Sequence, residues 1–545
     1  MNGLRLGISL GAIAFLGLFL LYPLALVLGA SLQVDGHGAF TLANYRTLLG
    51  NSYYVGSITN SLLAAALATL GTTLIGVPLA FCLARIDIPG KAALLTLAAL
   101  PLVLPSFVAA YALVLMFGHA GVVTSALRQI GIPIGAIYGL PGITIVFTLT
   151  LYPYVLMPVM AGFRAVDISI EEAARNLGGS RTHVFRTVLL PVVMPAVLAG
   201  ALLVFIETLE NFGVPSVLAE DRPFLAVDIF KLFAGEADSN PAAAGALSVV
   251  LIACTALALL VQRHYLGQRR FSTAARSAPP NLPLGPGLRL GATIFSWGVV
   301  IASLLPFAAV VLISFLRFRG PVLTWELGLG NYGFLLSGSY RPLANTLLLA
   351  SLAAVATMML GAPIGYVVAR HRARLAGILD VIGMVPFAVS GTVLAIGLVL
   401  AFNDGALRLT GGWLILVIAY VVRKLPCAIR SASAIVHQID PSLEEASVNL
   451  GRSPLRTFLF LTVPLMASGL IGGLVLVWIT AASELSATIV LYTSRWSTMT
   501  VTMYHFIEGT GAGAAAASAT ILILFTCVPL LLVHRRMRRA DATLM

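Results

Sequence analysis

The sequence predicts an all-α polytopic membrane protein of about 12 transmembrane helices, built as two tandem six-helix repeats. Three observations carry this. Of 545 residues, 59% are hydrophobic and only 10% charged, whereas about a quarter of a water-soluble domain is charged. Apolar runs of span length recur from end to end. The segment Glu171–Pro191, EEAARNLGGSRTHVFRTVLLP, returns as Glu444–Pro464, EEASVNLGRSPLRTFLFLTVP, displaced by 273 residues.

Candidate spans lie near 6–29, 58–84, 93–117, 140–162, 191–214 and 243–263, then near 290–315, 344–369, 376–402, 412–435, 464–489 and 515–534. Each is close to the roughly 20 residues that a helix needs to cross a bilayer. Lipid offers backbone groups no hydrogen-bond partner and the runs lack period-two alternation, so they are helices and not barrel strands. The first run follows one arginine, Arg5, and is longer than the roughly 7–15 residue core of a signal peptide, so it is read as a retained helix.

Lys and Arg set the orientation. With the N-terminus inside, 24 of the 33 basic residues fall in cytoplasmic segments, among them Arg85, Lys91, Arg175, Arg370, Arg423, Lys424 and Arg452. Both termini and both copies of the repeated motif are then cytoplasmic. The net charge of +12 follows from topology and requires no nucleic acid.

The polar, Pro- and Gly-rich stretch at 264–289 separates a first membrane domain, 1–263, from a second, 290–545. Repetition extends beyond the motif. Asn60-Ser61 returns as Asn345-Thr346, Pro78 as Pro363, Ala84-Arg85 as Ala369-Arg370 and Pro101 as Pro386. The copies are parallel, which puts the expected pathway at the interface between halves. The four cysteines lie in or beside apolar runs, and the eight histidines lack metal-ligand spacing.

The repeated motif reads as two short helices joined by a turn. Ser169 and Glu172 stand as a capping box, Asp440 can cap with Pro441 at the first helical position, and Gly178 and Gly451 end the first helix. Ser180 and Ser453 can cap the second.

The spacing Glu-Ala-Ala, three residues, Gly, nine residues, aliphatic, any residue, aliphatic, Pro resembles the cytoplasmic signature loop of permeases in ATP-binding-cassette importers. Glu172, Ala173, Ala174, Gly178, Val188, Leu190 and Pro191 match throughout; the second copy has Ser447 for the second Ala and Val463 for Leu. The resemblance implies that Glu171, Glu172, Ala173, Ala174, Gly178 and Pro191, with Glu444, Glu445, Ala446, Gly451 and Pro464, couple the membrane helices to a separate ATPase. The chain has three lysines, none within a GxxxxGK[ST] phosphate loop. Two ATPase subunits are therefore expected, one per motif, with no cofactor or metal on this chain. A periplasmic or lipid-anchored binding protein would deliver cargo to outer surfaces such as Glu220–Asp238 and Tyr492–Glu508. The resemblance also implies a bacterial inner membrane as the setting, and no nucleic-acid partner is expected.

Charges at depth bear on the cargo. Glu207, Glu210 and Asn211 lie well into the fifth span, and Glu484 stands where the repeat matches Asn211. Such groups line a polar pathway or pair with neighbouring helices. Arg423 and Lys424 could pair with a carboxylate, although snorkelling to the cytosol is the reading preferred here. The segments ETLENFG and SELSATIVL in a fused double-length chain are most similar to the ferric-iron permeases; thiamine, polyamine and aminophosphonate branches share the architecture. An ion-gradient carrier or a channel could also show parallel repeats, but neither needs paired coupling loops.

Overall fold

The structure is a computed structural model. It describes every residue except 1, 34–39, 120, 133–134, 136, 236–239, 268–281, 283–284, 320–321, 339, 371–373, 405–406, 510 and 544–545. Most of the 264–289 linker lies outside the described residues, as does the end of the acidic Glu220–Asp238 stretch.

Nine described helices are long and apolar enough to cross a membrane, or eleven if each of two bent pairs is one span. Trp413–Val436 has the length, with 24 residues, and falls outside that set because it carries Arg423, Lys424 and Arg430. Including it brings the described spans to the dozen expected. Among the described residues the only strands form a two-stranded antiparallel hairpin, Leu316–Arg319 with Val322–Leu327.

The third span of each half was expected to be continuous, and neither is. Lys91–Ala99 stops before a 3-10 turn at Leu100–Leu102, and helix resumes at Ser106–Phe117. In the second half Leu375–Ala388 and Gly391–Phe402 meet at 105°. Proline is the cause: Pro101, Pro105 and Pro386 have no N–H to donate and disfavour helix in the residue before them. The freed backbone groups are met locally, as where the N–H groups of Val103 and Leu104 donate to the Leu100 carbonyl at 2.9 and 3.2 Å.

The compact units are not the sequence halves. One gathers Met1–Leu48, Asp228–Ile252 and Leu329–Met545; the other gathers Leu49–Val227 and Ala253–Gly328. The first span therefore packs among helices of the second repeat, against Arg341–Arg370, Arg374–Met384 and Gly391–Phe402. Phe19 lies 5.5 Å from Phe402, centroid to centroid. Likewise Pro286–Ser314, which opens the second repeat, packs with Ser52–Arg85 and Ser106–Phe117.

Within each unit the second and fourth spans form the core contact: Ser52–Arg85 on Gly139–Ala165, and Arg341–Arg370 on Trp413–Val436. Glycine makes both crossings close. A β-carbon on Gly76 would lie 3.0 Å from Val155 Cβ, and one on Gly361, the repeat's counterpart, 2.4 Å from Ala428 Cβ. On the opposite face of the Ser52–Arg85 helix Leu63, Leu70 and Leu74 are exposed, as a lipid-facing surface requires.

The repeated Asn60-Ser61 and Asn345-Thr346 pairs hold equivalent loops, each following the fifth span of its half. Asn60 donates to the Pro223 carbonyl at 3.1 Å and Ser61 accepts the Leu225 N–H at 2.9 Å. Asn345 donates to the Arg495 and Ser497 carbonyls, both at 2.9 Å, and Thr346 accepts the Met499 N–H at 2.9 Å.

Gly361→Ala should force the second and fourth spans apart at a cost of about 1–3 kcal/mol, read as a lower unfolding midpoint in detergent. Gly298→Ala adds its methyl to open space and should leave the midpoint unchanged; equal midpoints for the two variants would contradict this packing.

Candidate functional site

The repeated segment folds into the same short structure twice. Ile168–Asn176 and Pro441–Asn449 are nine-residue helices. The caps are Asp167 and Asp440, whose carboxylates accept the Ser169 and Ser442 N–H groups at 2.9 Å. Asp440 and Pro441 do as the sequence predicts, but Ser169, expected to cap with Glu172, lies inside the first helix. An aspartate two residues upstream satisfies the orphan N–H more directly. The Ser442 N–H and hydroxyl hold the Asp440 carboxyl below its usual range.

Both helices end on a left-handed glycine, Gly178 at φ +89° and Gly451 at φ +88°. The Gly179 N–H donates to the Ala174 carbonyl at 3.1 Å, and the Gly178 N–H to Arg175 at 2.9 Å; Arg452 to Ser447 and Gly451 to Val448 repeat the pattern at 3.2 and 2.9 Å. This double closure satisfies the terminal carbonyls and needs φ > 0, where a β-carbon is strained.

The second helix of each motif is not a free short helix, as expected from sequence. Arg181–Val184 and Pro454–Thr457 are capped by Ser180 and Ser453. They then run through widened π-helical turns, Phe185–Leu189 and Phe458–Thr462, into Leu190–Glu210 and Val463–Ala482. Pro191 and Pro464 sit just after these turns. Lacking an N–H, they break the regular ladder and the turn widens ahead of them. Each motif is thus joined by helix to the fifth span of its half, with a 71° bend between Pro454–Ala467 and Gly469–Ala482 in the second.

Each acidic pair divides its work. Glu171 and Glu444 are buried, whereas Glu172, Glu445, Ala173, Ala446, Gly178 and Gly451 are exposed and Ala174 is half-buried. Glu171 pairs with Arg85 at the end of Ser52–Arg85. Glu444 pairs with Arg370 at 3.1 Å, at the end of Arg341–Arg370. Both pairs clasp the motif to the second span. In the sequence Arg85 and Arg370 count only as inside charges; their recurrence after alanine was the one signal of a shared role.

The two clasps differ in completeness. Tyr366 donates its hydroxyl to Glu444 at 2.7 Å, and Arg370 also donates to the Ile439 carbonyl at 2.7 Å. Phe81 stands where the repeat has Tyr366 and offers no hydroxyl. Arg85 Nε and Nη1 find no hydrogen-bond partner among the described residues. Ring packing is shared: Phe81 on Phe185 at 5.1 Å, Tyr366 on Phe458 at 4.9 Å.

The tip of each motif is apolar and bare. Leu177 is 90% exposed and Leu450 87%, each one residue before the left-handed glycine. A large aliphatic side chain so exposed beside polar neighbours marks a contact surface.

At depth the structure brings together only part of the expected set. Glu210 is buried and Glu207 half-buried on the fifth-span helix Leu190–Glu210. Asn211 accepts the Val214 N–H at 2.9 Å and donates to the Ser106 hydroxyl at 3.3 Å. Glu484, in the other unit, accepts the Ala487 N–H at 3.3 Å and lies 3.4 Å from Arg423 Nε and 3.0 Å from Lys424 Nζ. The preferred reading that Arg423 and Lys424 snorkel is overturned: a buried carboxylate within reach binds them more strongly than distant solvent.

A family profile described as "Binding-protein-dependent transport system inner membrane component" matches the chain twice, at residues 73–270 and 361–539, each match enclosing one copy of the motif. The ferric transport system permease protein FbpB of Actinobacillus pleuropneumoniae is 31% identical over 516 residues, 92% of this chain and 74% of that protein. The putative ferric transport system permease protein FbpB 1 of Haemophilus influenzae is 32% identical over 489 residues, 87% of this chain and 76% of that protein. The spermidine/putrescine transport system permease protein PotB of Haemophilus influenzae is 31% identical over 221 residues, 39% of this chain and 77% of that protein.

Arg370→Ala should leave Glu444 buried without its cation, at a cost of about 3–5 kcal/mol, seen as a lowered unfolding midpoint. Exchanging the pair, Arg370→Glu with Glu444→Arg, should recover much of the loss, and a midpoint unmoved by Arg370→Ala would show that the pair carries nothing. Because its folded-state pKa is depressed, Asp440 contributes capping stability that is fully present above the ordinary carboxylate pKa and lost as pH falls through the lowered value. Amide exchange at Ser442 should therefore stay slow at mildly acidic pH and accelerate only below the ordinary range.

Proposed function

The chain belongs to the binding-protein-dependent transport system inner membrane components, and on that premise we propose that it forms the membrane pathway of an ATP-driven ferric-iron importer. The observation that carries the reading is the duplicated motif: a short helix clasped to the second span and ending on a bare leucine, joined through its glycine turn to a second helix that runs into the fifth. Such a part is built to receive a push at its tip and pass it to two spans at once. Two separate ATPase subunits, one on each tip, hydrolyse the ATP, and this chain binds no cofactor. Exposed Glu172 and Glu445 flank the docked surface, while Glu171 and Glu444 hold it in place.

The ferric assignment rests on coverage. The ferric relatives align with most of the chain, and the polyamine relative with 39% of it. A binding protein delivers cargo at the loop held by Asn60 and at the loop held by Asn345. Both termini are cytoplasmic, as the distribution of Lys and Arg supports, and Glu207, Glu210, Asn211 and Glu484 lie along the translocation path.

Vesicles containing this chain, its ATPase and its binding protein should accumulate radioactive ferric ion only with ATP inside the ATPase compartment. Gly178→Val and Gly451→Val, which place a β-branched residue at positive φ, should each cut uptake by about tenfold or more, and Leu177→Asp and Leu450→Asp should weaken ATPase binding. Uptake that survives all four variants would point to an ATP-independent carrier.

A further inference from the structure

The loop after the fifth span of the second half leads into a helix with two unlike faces. Met499–Glu508 begins where Thr346 accepts the Met499 N–H at 2.9 Å. At about 100° per residue, Met499, Met503 and Phe506 fall on one side. Met499 clusters with Leu335 and Ala517, and Phe506 packs against that cluster. Tyr504, His505 and Glu508 fall on the other side.

Residues three and four apart are neighbours on a helix surface, so Glu508 stands beside both His505 and Tyr504. The Tyr504 hydroxyl donates to Glu508 Oε1. Tyr492, in the preceding loop, completes the group, with its hydroxyl 2.8 Å from His505 Nε2. The imidazole is close to both phenol rings, 5.6 Å from Tyr492 and 5.8 Å from Tyr504, centroid to centroid. His505 and Glu508 are exposed, Tyr492 is half-buried and Tyr504 is buried. The group is thus anchored at Tyr504 and open to solvent at His505 and Glu508.

Among the described residues no three of His, Cys, Asp and Glu gather to hold a metal; here two phenols make up the number. Oxygen donors suit hard cations, imidazole suits iron, and a tyrosine oxygen is an iron ligand in its own right. Ionised, Tyr492, Tyr504 and Glu508 carry three negative charges and neutral His505 carries none. That set balances one trivalent ion, whereas a divalent ion would leave a negative charge over. Spacing agrees: adjacent ligands of an octahedral ion with bonds of about 2.0–2.1 Å stand about 2.8–3.0 Å apart, and the Tyr492–His505 contact is 2.8 Å. On binding, the ion takes the place of the hydrogen-bond proton. His505 coordinates through Nε2 and keeps its proton on Nδ1, while both phenol protons leave to solvent.

The first half shows that the fold does not require these donors. The Leu225 N–H meets Ser61 as the Met499 N–H meets Thr346, which aligns the ten-residue helices Leu225–Ala234 and Met499–Glu508. That register sets Phe230, Lys231 and Ala234 where the second half has Tyr504, His505 and Glu508. Phe230 keeps the ring without its hydroxyl, and the other two offer a cation and a methyl. The equivalent helix forms with no donor of the set, so their meeting in the second half is not a demand of the scaffold.

We propose that Tyr492, Tyr504, His505 and Glu508 form a receiving site for a ferric ion, holding cargo on the loop after the fifth span as it leaves the binding protein. Four donors leave two octahedral positions for water or for an oxygen ligand that arrives with the ion. The receiving role rests on the ferric reading above; the binding of a trivalent ion rests on the four side chains alone.

The purified full chain in detergent, titrated with ferric nitrilotriacetate, should develop the visible charge-transfer band of a phenolate bound to iron. Tyr492→Phe and Tyr504→Phe should each weaken the band and together remove it. His505→Gln or Glu508→Gln should raise the ferric concentration needed by about tenfold or more. Tyr340→Phe, at a tyrosine that is 72% exposed and outside the group, should change nothing. Gallium should displace the band and magnesium should leave it. No band with the wild-type chain, or a band that outlasts the double phenylalanine variant, overturns the site. Tyr504→Phe, His505→Lys and Glu508→Ala together, which copy the first half, should keep the wild-type unfolding midpoint and lack the band, separating lost ligation from lost fold. In vesicles with ATPase and binding protein, the double phenylalanine variant should slow uptake of radioactive iron by about tenfold or more; wild-type uptake in that variant overturns the receiving role. A wild-type chain that shows the band yet imports no iron sinks the ferric reading and leaves the binding site standing.

Discussion

A carboxylate removed from water must find a cation, and in this chain that requirement fixes the repeated motif to the second span. Glu171 is closed off beside Arg85, and Glu444 beside Arg370. Neither helix of the motif could swing away from the second span without stranding a buried charge, a penalty of several kcal/mol. Because the other side of the motif continues into the fifth span, the motif has two attachments and one exposed tip. In the importer reading proposed above, force from the ATPase at Leu177 or Leu450 would pass into those spans.

Around that clasp the two repeats solve the same packing problem with related parts. Gly76 and Gly361 let the second and fourth spans approach closely, prolines break both third spans, and paired Asn and hydroxyl residues hold the loop after each fifth span. The differences are as informative as the matches. Tyr366 and the Ile439 carbonyl complete the second clasp, while Phe81 leaves the first with a single bond. Equal motifs are thus held with unequal firmness, and the two ATPase contacts proposed for them need not move in step.

Charge at depth follows the same logic of shared scaffold and private detail. Asn211 and Glu484 cap the helices that follow them in the same way, so their common position is structural. What distinguishes the halves is the company each keeps: Glu207 and Glu210 in the first, Arg423 and Lys424 in the second, with Thr480, Ser483, Thr150 and Leu151 as their neutral counterparts.

The sequence by itself determined the helical class, the dozen spans, the duplication and the surface motif with its glycine stops and the Asp440 cap. These depend on apolar run length, on backbone conformations that only certain residues tolerate, and on displacement along the chain, all of which are local or countable. It also recorded the recurrence of Ala84-Arg85 and Asn60-Ser61, without their purpose. Only the tertiary structure decided that those arginines meet the first glutamate of each motif, that Glu484 holds Arg423 and Lys424, and that each repeat's first helix packs with the other repeat's helices. A displacement of 273 residues is the same whichever copy a helix packs against, and a charged residue reads alike whether water or a distant carboxylate receives it. Partner choice is set by proximity across the fold, a quantity that linear spacing does not contain.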